Sequence, residues 1–163
     1  DSDDEQAEPS AVSAADDADL QTLREIFERS EWAELAPIAV EIEIDFALGA
    51  GATADSGEPT SGPASGHIVI CKLDAVYRRE DRGGRIEIVD WKTGRAPRTP
   101  AEREDRMLQL ALYRLAYHRR FGVPLDEIDV ALYYVADDLV IRGDRVYSEV
   151  ELVQRWSAAR AAR

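Results

Sequence analysis

The chain has 163 residues, 45% of them hydrophobic, a formal net charge of −13 and one cysteine. That length suits one domain with a core of ordinary size. Cys71 alone excludes an internal disulfide and any four-cysteine metal site, including an iron–sulfur cluster, and fits a reducing, intracellular setting. The sequence shows no signal peptide and no run of about 18 apolar residues that would span a membrane.

The charge is uneven. Residues 1–31 hold 11 acids against 2 arginines, whereas residues 72–120 hold 13 Lys/Arg against 8 Asp/Glu. A local basic surface is what a phosphate backbone senses, whatever the sign of the whole chain. Residues 1–15 are too poor in apolar side chains to fold and read as a disordered acidic linker, with the folded domain in 16–163. A linker-like start without Met predicts a C-terminal piece of a larger protein.

From Asp16, the residues Leu20, Leu23, Ile26 and Phe27 recur at helical spacing to about Ser30. A further turn, Glu31–Leu35, stops before Pro37. In Ile38–Leu48, Val40, Ile42, Ile44 and Phe46 alternate with Glu41, Glu43 and Asp45, a period-two strand with its acids on one face. Those acids are either solvated or supply one member to a site. Residues 49–66 are Gly/Ala/Ser/Pro/Thr-rich and predict a flexible loop between strands.

The run His67–Tyr77 is a second strand, rich in β-branched and aromatic residues. Glu80–Gly84 forms a turn, and Ile86–Lys92 returns as a third strand. Arg95–Arg98 is a basic connection. Thr99-Pro100-Ala101-Glu102 then has the order of a capping box with Pro at the first helical position. The helix runs to about Phe121, stopped by Gly122 and Pro124, with Leu108, Ala111, Leu112 and Leu115 as its packing stripe. Gln109 and Tyr113, four apart, share a face of it. Ile128–Val135 is a further strand, a short hairpin follows through Asp137–Arg145, and Ser148–Glu151 caps a final helix carrying Val150, Val153 and Trp156. This order predicts an α/β domain, a mixed central sheet flanked by helices.

The chemistry concentrates at the end of the third strand. Strand alternation points Asp90 and Lys92 the same way and Trp91, a core residue, the other. A hairpin centred on residue 82 sets Asp74 opposite Asp90, and cross-strand partners hold their Cβ atoms about 4.5–5.5 Å apart. Two carboxylates that close repel, and burying both costs several kcal/mol unless a cation compensates. No Ser/His/Asp constellation, Walker loop or dinucleotide fingerprint is present.

These residues match a family. Asp74, the run Asp90-Trp91-Lys92-Thr93-Gly94, and Gln109 with Tyr113 resemble the PD-(D/E)XK nuclease superfamily, and more narrowly its RecB-like branch, whose pattern is G-x-x-D, D-x-K and Q-x-x-x-Y. Glu43-Ile44-Asp45-Phe46 resembles the family's E-x-x-F strand, which sets Glu43 ahead of Glu41 as a third acid. Cys71 stands where the family's glycine usually sits, and the family's helical histidine has no match, since only His67 and His118 are present.

The resemblance implies a restriction-endonuclease-like core and a metal-dependent nuclease cutting DNA, single-stranded or unwound. Asp74, Asp90 and Glu43, with the Trp91 carbonyl, would hold Mg²⁺ or Mn²⁺. Lys92 would serve the attacking water or the phosphate, and Gln109 and Tyr113 would grip DNA or brace the site. Arg95 and Arg98, with Arg103 and Arg106 behind them, would contact phosphates. By the same resemblance the domain would follow a helicase domain in its parent chain. It would work beside a second helicase–nuclease subunit, in a bacterial cytoplasm, resecting double-strand breaks as RecBCD- and AddAB-type enzymes do. The competing expectation is a catalytically silent module of the same fold that binds DNA or braces a partner.

Overall fold

A computed structural model describes residues 11–49, 67–143 and 146–161. In chain order the elements are α1 (Ala11–Glu28), β1 (Ala39–Leu48), β2 (His67–Arg79), β3 (Arg85–Lys92), α2 (Pro100–Phe121), β4 (Ile128–Tyr134), β5 (Leu139–Arg142) and α3 (Glu149–Ala161). The strands form one sheet in the order β1-β2-β3-β4-β5, antiparallel throughout except for the parallel pair β3 and β4. A parallel neighbour needs a crossover, and α2 supplies it. The α/β class with a mixed sheet flanked by helices is therefore what the chain adopts.

Helix α1 begins at Ala11, five residues before the start expected from the apolar pattern, so the acidic segment is helical over residues 11–15. The rest of that proposed linker and residues 50–66 of the proposed loop lie outside the described residues. Helix α2 starts where its chemistry directs. The Thr99 side chain accepts from the Glu102 N–H, the Glu102 carboxylate accepts from the Thr99 N–H, and Pro100 follows the cap. Gly122, at φ +71°, ends it in the left-handed conformation that glycine adopts without strain. Ser148 and Glu151 exchange the same reciprocal bonds at the start of α3.

The sheet has a core on each face. Ile42, Ile44, Phe46 and Leu48 of β1, Ile86 and Ile88 of β3, and Leu110, Leu112 and Leu115 of α2 belong to one of them. On the other face α1 packs Leu23, Ile26 and Phe27 onto Trp32, Tyr77, Val89, Trp91 and Tyr133. Trp91 is the hub of this second core, in edge contact with Phe27, Trp32, Tyr77 and Tyr133. It is a packing residue, as the alternation of β3 predicts.

A second feature of the α1 side is an ionic knot. Glu87 is fully buried and accepts from Arg79 (2.8 Å), Arg82 (3.0 Å), Arg142 (2.7 Å) and the Trp32 indole N–H (2.6 Å). A carboxylate inside an apolar core is tolerable only with this degree of compensation.

Candidate active site

Strands β1 and β2 change faces together at one position. Residues on one face of a strand recur every second position, yet Leu73 and Val76 both enter the α2-side core, and so do Ala39 and Ile42. The described ladder pairs Val40 with Ala75 and Ile42 with Leu73 but leaves out the position between them, where Glu41 faces Asp74. Glu41 takes φ +49° there, in the left-handed region that non-glycine residues rarely occupy. Breaks of this kind interrupt a ladder and re-aim one side chain. Here the re-aimed residue is Asp74.

Its carboxylate turns to β3. Asp74 Oδ2 accepts a 2.9 Å hydrogen bond from the Trp91 backbone N–H, one step beyond the last described ladder pair, Ala75 with Val89. The same register sets Asp74 opposite Asp90, as the hairpin centre requires. Asp90 is buried, 5% exposed, and Nζ of Lys92 lies 3.0 Å from its Oδ2. That contact is an ion pair by distance but is not aligned for a hydrogen bond, because Oδ2 has no hydrogen-bond partner. Burial first, and then the contact with Asp74, push the Asp90 carboxyl up to about 7, although Lys92 pulls the other way.

Helix α2 brings the next pair. Gln109 Nε2 donates to Tyr113 Oη at 2.8 Å, which leaves Gln109 Oε1 buried without a partner. Burial, followed by the negative charge of Asp90, raises the Tyr113 phenol above its ordinary range, so it stays protonated and able to donate. Cys71 is buried beside it, and desolvation pushes its thiol up to about 12. A thiol that resists ionisation is a poor nucleophile at neutral pH.

Asp74, Asp90, Lys92, Gln109 and Tyr113 thus gather on the α2 side of the sheet. Glu43 does not join them. Ile42 and Ile44 on either side of it enter the α2-side core, so alternation turns Glu43 to the opposite face, where it is exposed and paired in register with Lys72. Among the described residues no three His, Cys, Asp or Glu side chains converge on one point. Arg95 is exposed and bound to Glu102 at 3.3 Å. Arg98 is anchored through its backbone N–H to the same carboxylate, and its exposed guanidinium has no charged partner among the described residues.

Two carboxylates still suit a hard divalent ion. Mg²⁺ is often held by one or two carboxylates, with waters and substrate phosphate completing its shell. The buried Asp90 Oδ2, unpaired in hydrogen bonding and beside a second carboxylate, is the kind of oxygen such an ion satisfies. The donor set fits.

A family model describing the PD-(D/E)XK nuclease superfamily matches residues 2–162. This chain belongs to that superfamily. Its members are typically metal-dependent nucleases, and the acid pair and lysine of the superfamily signature are Asp74, Asp90 and Lys92 in the resemblance drawn from the sequence. Fourteen chains of solved structures also match. One of them, the crystal structure of SSO0001, is 13% identical with a TM-score of 0.49, over 94% of this chain and 62% of that one. This chain therefore spans less than two thirds of that solved protein. No curated protein matches it in sequence. No helix among the described residues is long and apolar enough to cross a membrane.

Three features of this superfamily member escape sequence reading. The Glu41 backbone break leaves no compositional mark, because glutamate is not the residue expected at positive φ. Glu87 is an acid between two isoleucines, a pattern equally suited to a strand with one wet face. Arg114 is buried in mid-helix and donates to the carbonyls of Ile128 and Gly143, so it joins α2 to the start of β4 and the end of β5. In a helix otherwise read for its apolar stripe, an arginine looks like surface.

Proposed function

We propose that this domain hydrolyses phosphodiester bonds in DNA, using Mg²⁺ or Mn²⁺ held by Asp74 and Asp90 with the Trp91 carbonyl. The observation that carries the reading is the buried, hydrogen-bond-deficient Asp90 Oδ2 set between a second carboxylate and an ammonium group. A divalent ion at this position supplies charge neutralisation for the phosphate and an acidified water. Lys92 adds a fixed positive charge beside the reacting phosphate, where charge develops as the bond breaks. Asp74 holds the Trp91 peptide from its N–H side and so fixes the stretch of β3 that carries both Asp90 and Lys92. Gln109 and Tyr113 brace the α2 wall, and Arg98 offers a phosphate contact.

In its finer form, the proposal makes the domain a RecB-like nuclease in a helicase–nuclease that processes DNA ends in recombinational repair. The substrate would be single-stranded DNA delivered by a motor in the parent chain, with a second helicase–nuclease subunit alongside. The support is the order of the signatures along the chain and the cationic excess of residues 72–120.

One observation favours the second reading, a silent module that binds DNA or braces a partner: Glu43 lies on the wrong face and no third acid replaces it among the described residues. The deciding experiment is cleavage of end-labelled single-stranded DNA by the intact chain and by Asp90→Ala, with Mg²⁺ or Mn²⁺. Loss of activity by about a hundredfold or more in the variant supports the enzyme, a loss of the size expected when an electrostatic group at the reacting centre is removed. Equal behaviour of the two proteins leaves the silent module standing.

A further inference from the structure

We propose that a groove adjoining the acid pair seats the base of one unpaired nucleotide next to the scissile phosphate. The groove encloses about 710 Å³, within the range of about 300–1,000 Å³ that small-ligand sites occupy. Its walls are Val69 from β2, Ala96 and Pro97 from the connection to α2, Leu108 and Leu112 from α2, and Trp156 from α3. Tyr113 lines this groove and is hydrogen-bonded to Gln109, which lines it too, and its phenol lies within electrostatic range of Asp90 and Asp74. The inference deepens the nuclease reading and rests on it for the placement of the phosphate.

Charge decides what the groove takes. Its rim carries Arg95 and Arg106 but also Glu102 and Asp105, two cations against two acids. Arg95 is already engaged by Glu102. A second phosphate would meet as much repulsion as attraction here. An uncharged, flat, largely apolar group would meet aliphatic walls and an indole, and nucleobases bind such surfaces by stacking and contact.

Polar groups decide how selective the groove is. One of the two Gln109 amide N–H bonds is committed to Tyr113, while Gln109 Oε1 and Trp156 Nε1 are closed off from solvent. The inner wall therefore grips a base by shape, and any preference among the four is left to the Tyr113 hydroxyl and to Asp105 and Arg106 on the rim. A base held in a duplex cannot enter without leaving its stack, which costs a few kcal/mol. The groove thereby selects unpaired over paired DNA at the step that places the phosphate.

The test uses the intact chain carrying Asp90→Asn, so that binding is read without cleavage. Binding of a short thymidine oligonucleotide and of an abasic oligonucleotide with the same number of phosphates is measured by fluorescence anisotropy. The expected result is about tenfold weaker binding of the abasic strand, the loss of roughly one stacked base. Adding Ala96→Trp, which fills the groove from its loop wall, should erase that difference by weakening only the thymidine strand. Independently of any filling variant, a 5-iodouridine oligonucleotide irradiated on the otherwise unaltered chain should crosslink to Trp156 or Tyr113. Equal binding of the two strands before the groove is filled, or crosslinks confined to residues outside it, overturns the proposal. Base-dependent binding together with no DNA cleavage by the parent chain, Asp90 intact, would sink the nuclease reading and leave the groove. Cleavage without base dependence would do the reverse.

Discussion

Lys92 Nζ stands 3.0 Å from Asp90 Oδ2, yet the two are misaligned for a hydrogen bond. The ammonium therefore compensates the buried carboxylate only in part. Burial first, and then Asp74, push the Asp90 carboxyl up to about 7. Its unfolded value is about 3.9. A carboxyl whose folded pKa is raised binds more protons folded than unfolded between those two values. The contribution of Asp90 to stability is then greatest below about pH 4 and is lost as pH rises through about 7. Asp90→Asn removes the charge, so in chelator at pH 8 the variant should be more stable than the parent by about 1–2 kcal/mol, a figure discounted for relaxation and solvent. The gap should close towards pH 5. Urea melts of both proteins across that range provide the check, and a gap that does not change with pH would show that Asp90 is not under strain.

The same strain predicts how the protein meets a divalent ion. An ion that binds only the folded acid pair raises stability by mass action, by about 2.7 kcal/mol at a hundred times its dissociation constant. Thermal melts at pH 8 should shift upward with Mn²⁺ or Mg²⁺ in the parent chain. The shift should shrink in Asp74→Asn and vanish in Asp90→Asn. Lys92→Gln should keep or enlarge it, because the ammonium repels the ion, while cleavage falls. A shift of equal size in Asp90→Asn would locate the ion elsewhere.

The backbone break at Glu41 gives a test that does not depend on metal. A non-glycine residue in the left-handed region carries about 1–2 kcal/mol of strain. Glycine there relieves that strain and gives back about 0.5–1 kcal/mol in chain entropy. Glu41→Gly should leave stability level or slightly raised, and Glu41→Val should lose about 1–2 kcal/mol despite the high strand propensity of valine. If valine proves the more stable of the two, β1 runs straight past Asp74 and the re-aiming of that carboxylate needs another cause.

The sequence disclosed what local chemistry controls. The α2 start was readable because Thr99, Pro100 and Glu102 each have one physical use in that order. The Asp74–Asp90 register followed from the turn Glu80–Gly84, whose centre is residue 82. Trp91 was assigned to the core by strand alternation alone. Glu43 failed for a related reason: alternation fixes which acids share a face but not which face meets the hairpin, and only the packing of Ile42 and Ile44 under α2 settles that. The groove was illegible because its walls come from β2, the 95–97 connection, α2 and α3, segments up to 87 positions apart at Val69 and Trp156.

Glu87 separates stability from catalysis. It is fully buried on the α1 side, bound by Arg79, Arg82, Arg142 and Trp32, whereas Asp90 faces α2. Removing the charge of one member of a buried ionic group leaves the others uncompensated and typically costs about 3–5 kcal/mol. Glu87→Gln keeps an oxygen for Trp32 but withdraws the charge from three guanidinium groups, so urea melts should show a loss in that range. Part of the loss should return in Glu87→Leu combined with Arg79→Met, since apolar replacement of a buried pair is often neutral. Divalent-ion binding per folded molecule should stay at the parent value in Glu87→Gln, because the two sites lie on opposite faces of one sheet. A loss below about 1 kcal/mol would mean that Glu87 is better solvated than its burial indicates, while weakened ion binding at full folding would mean that β3 transmits the disturbance through its backbone.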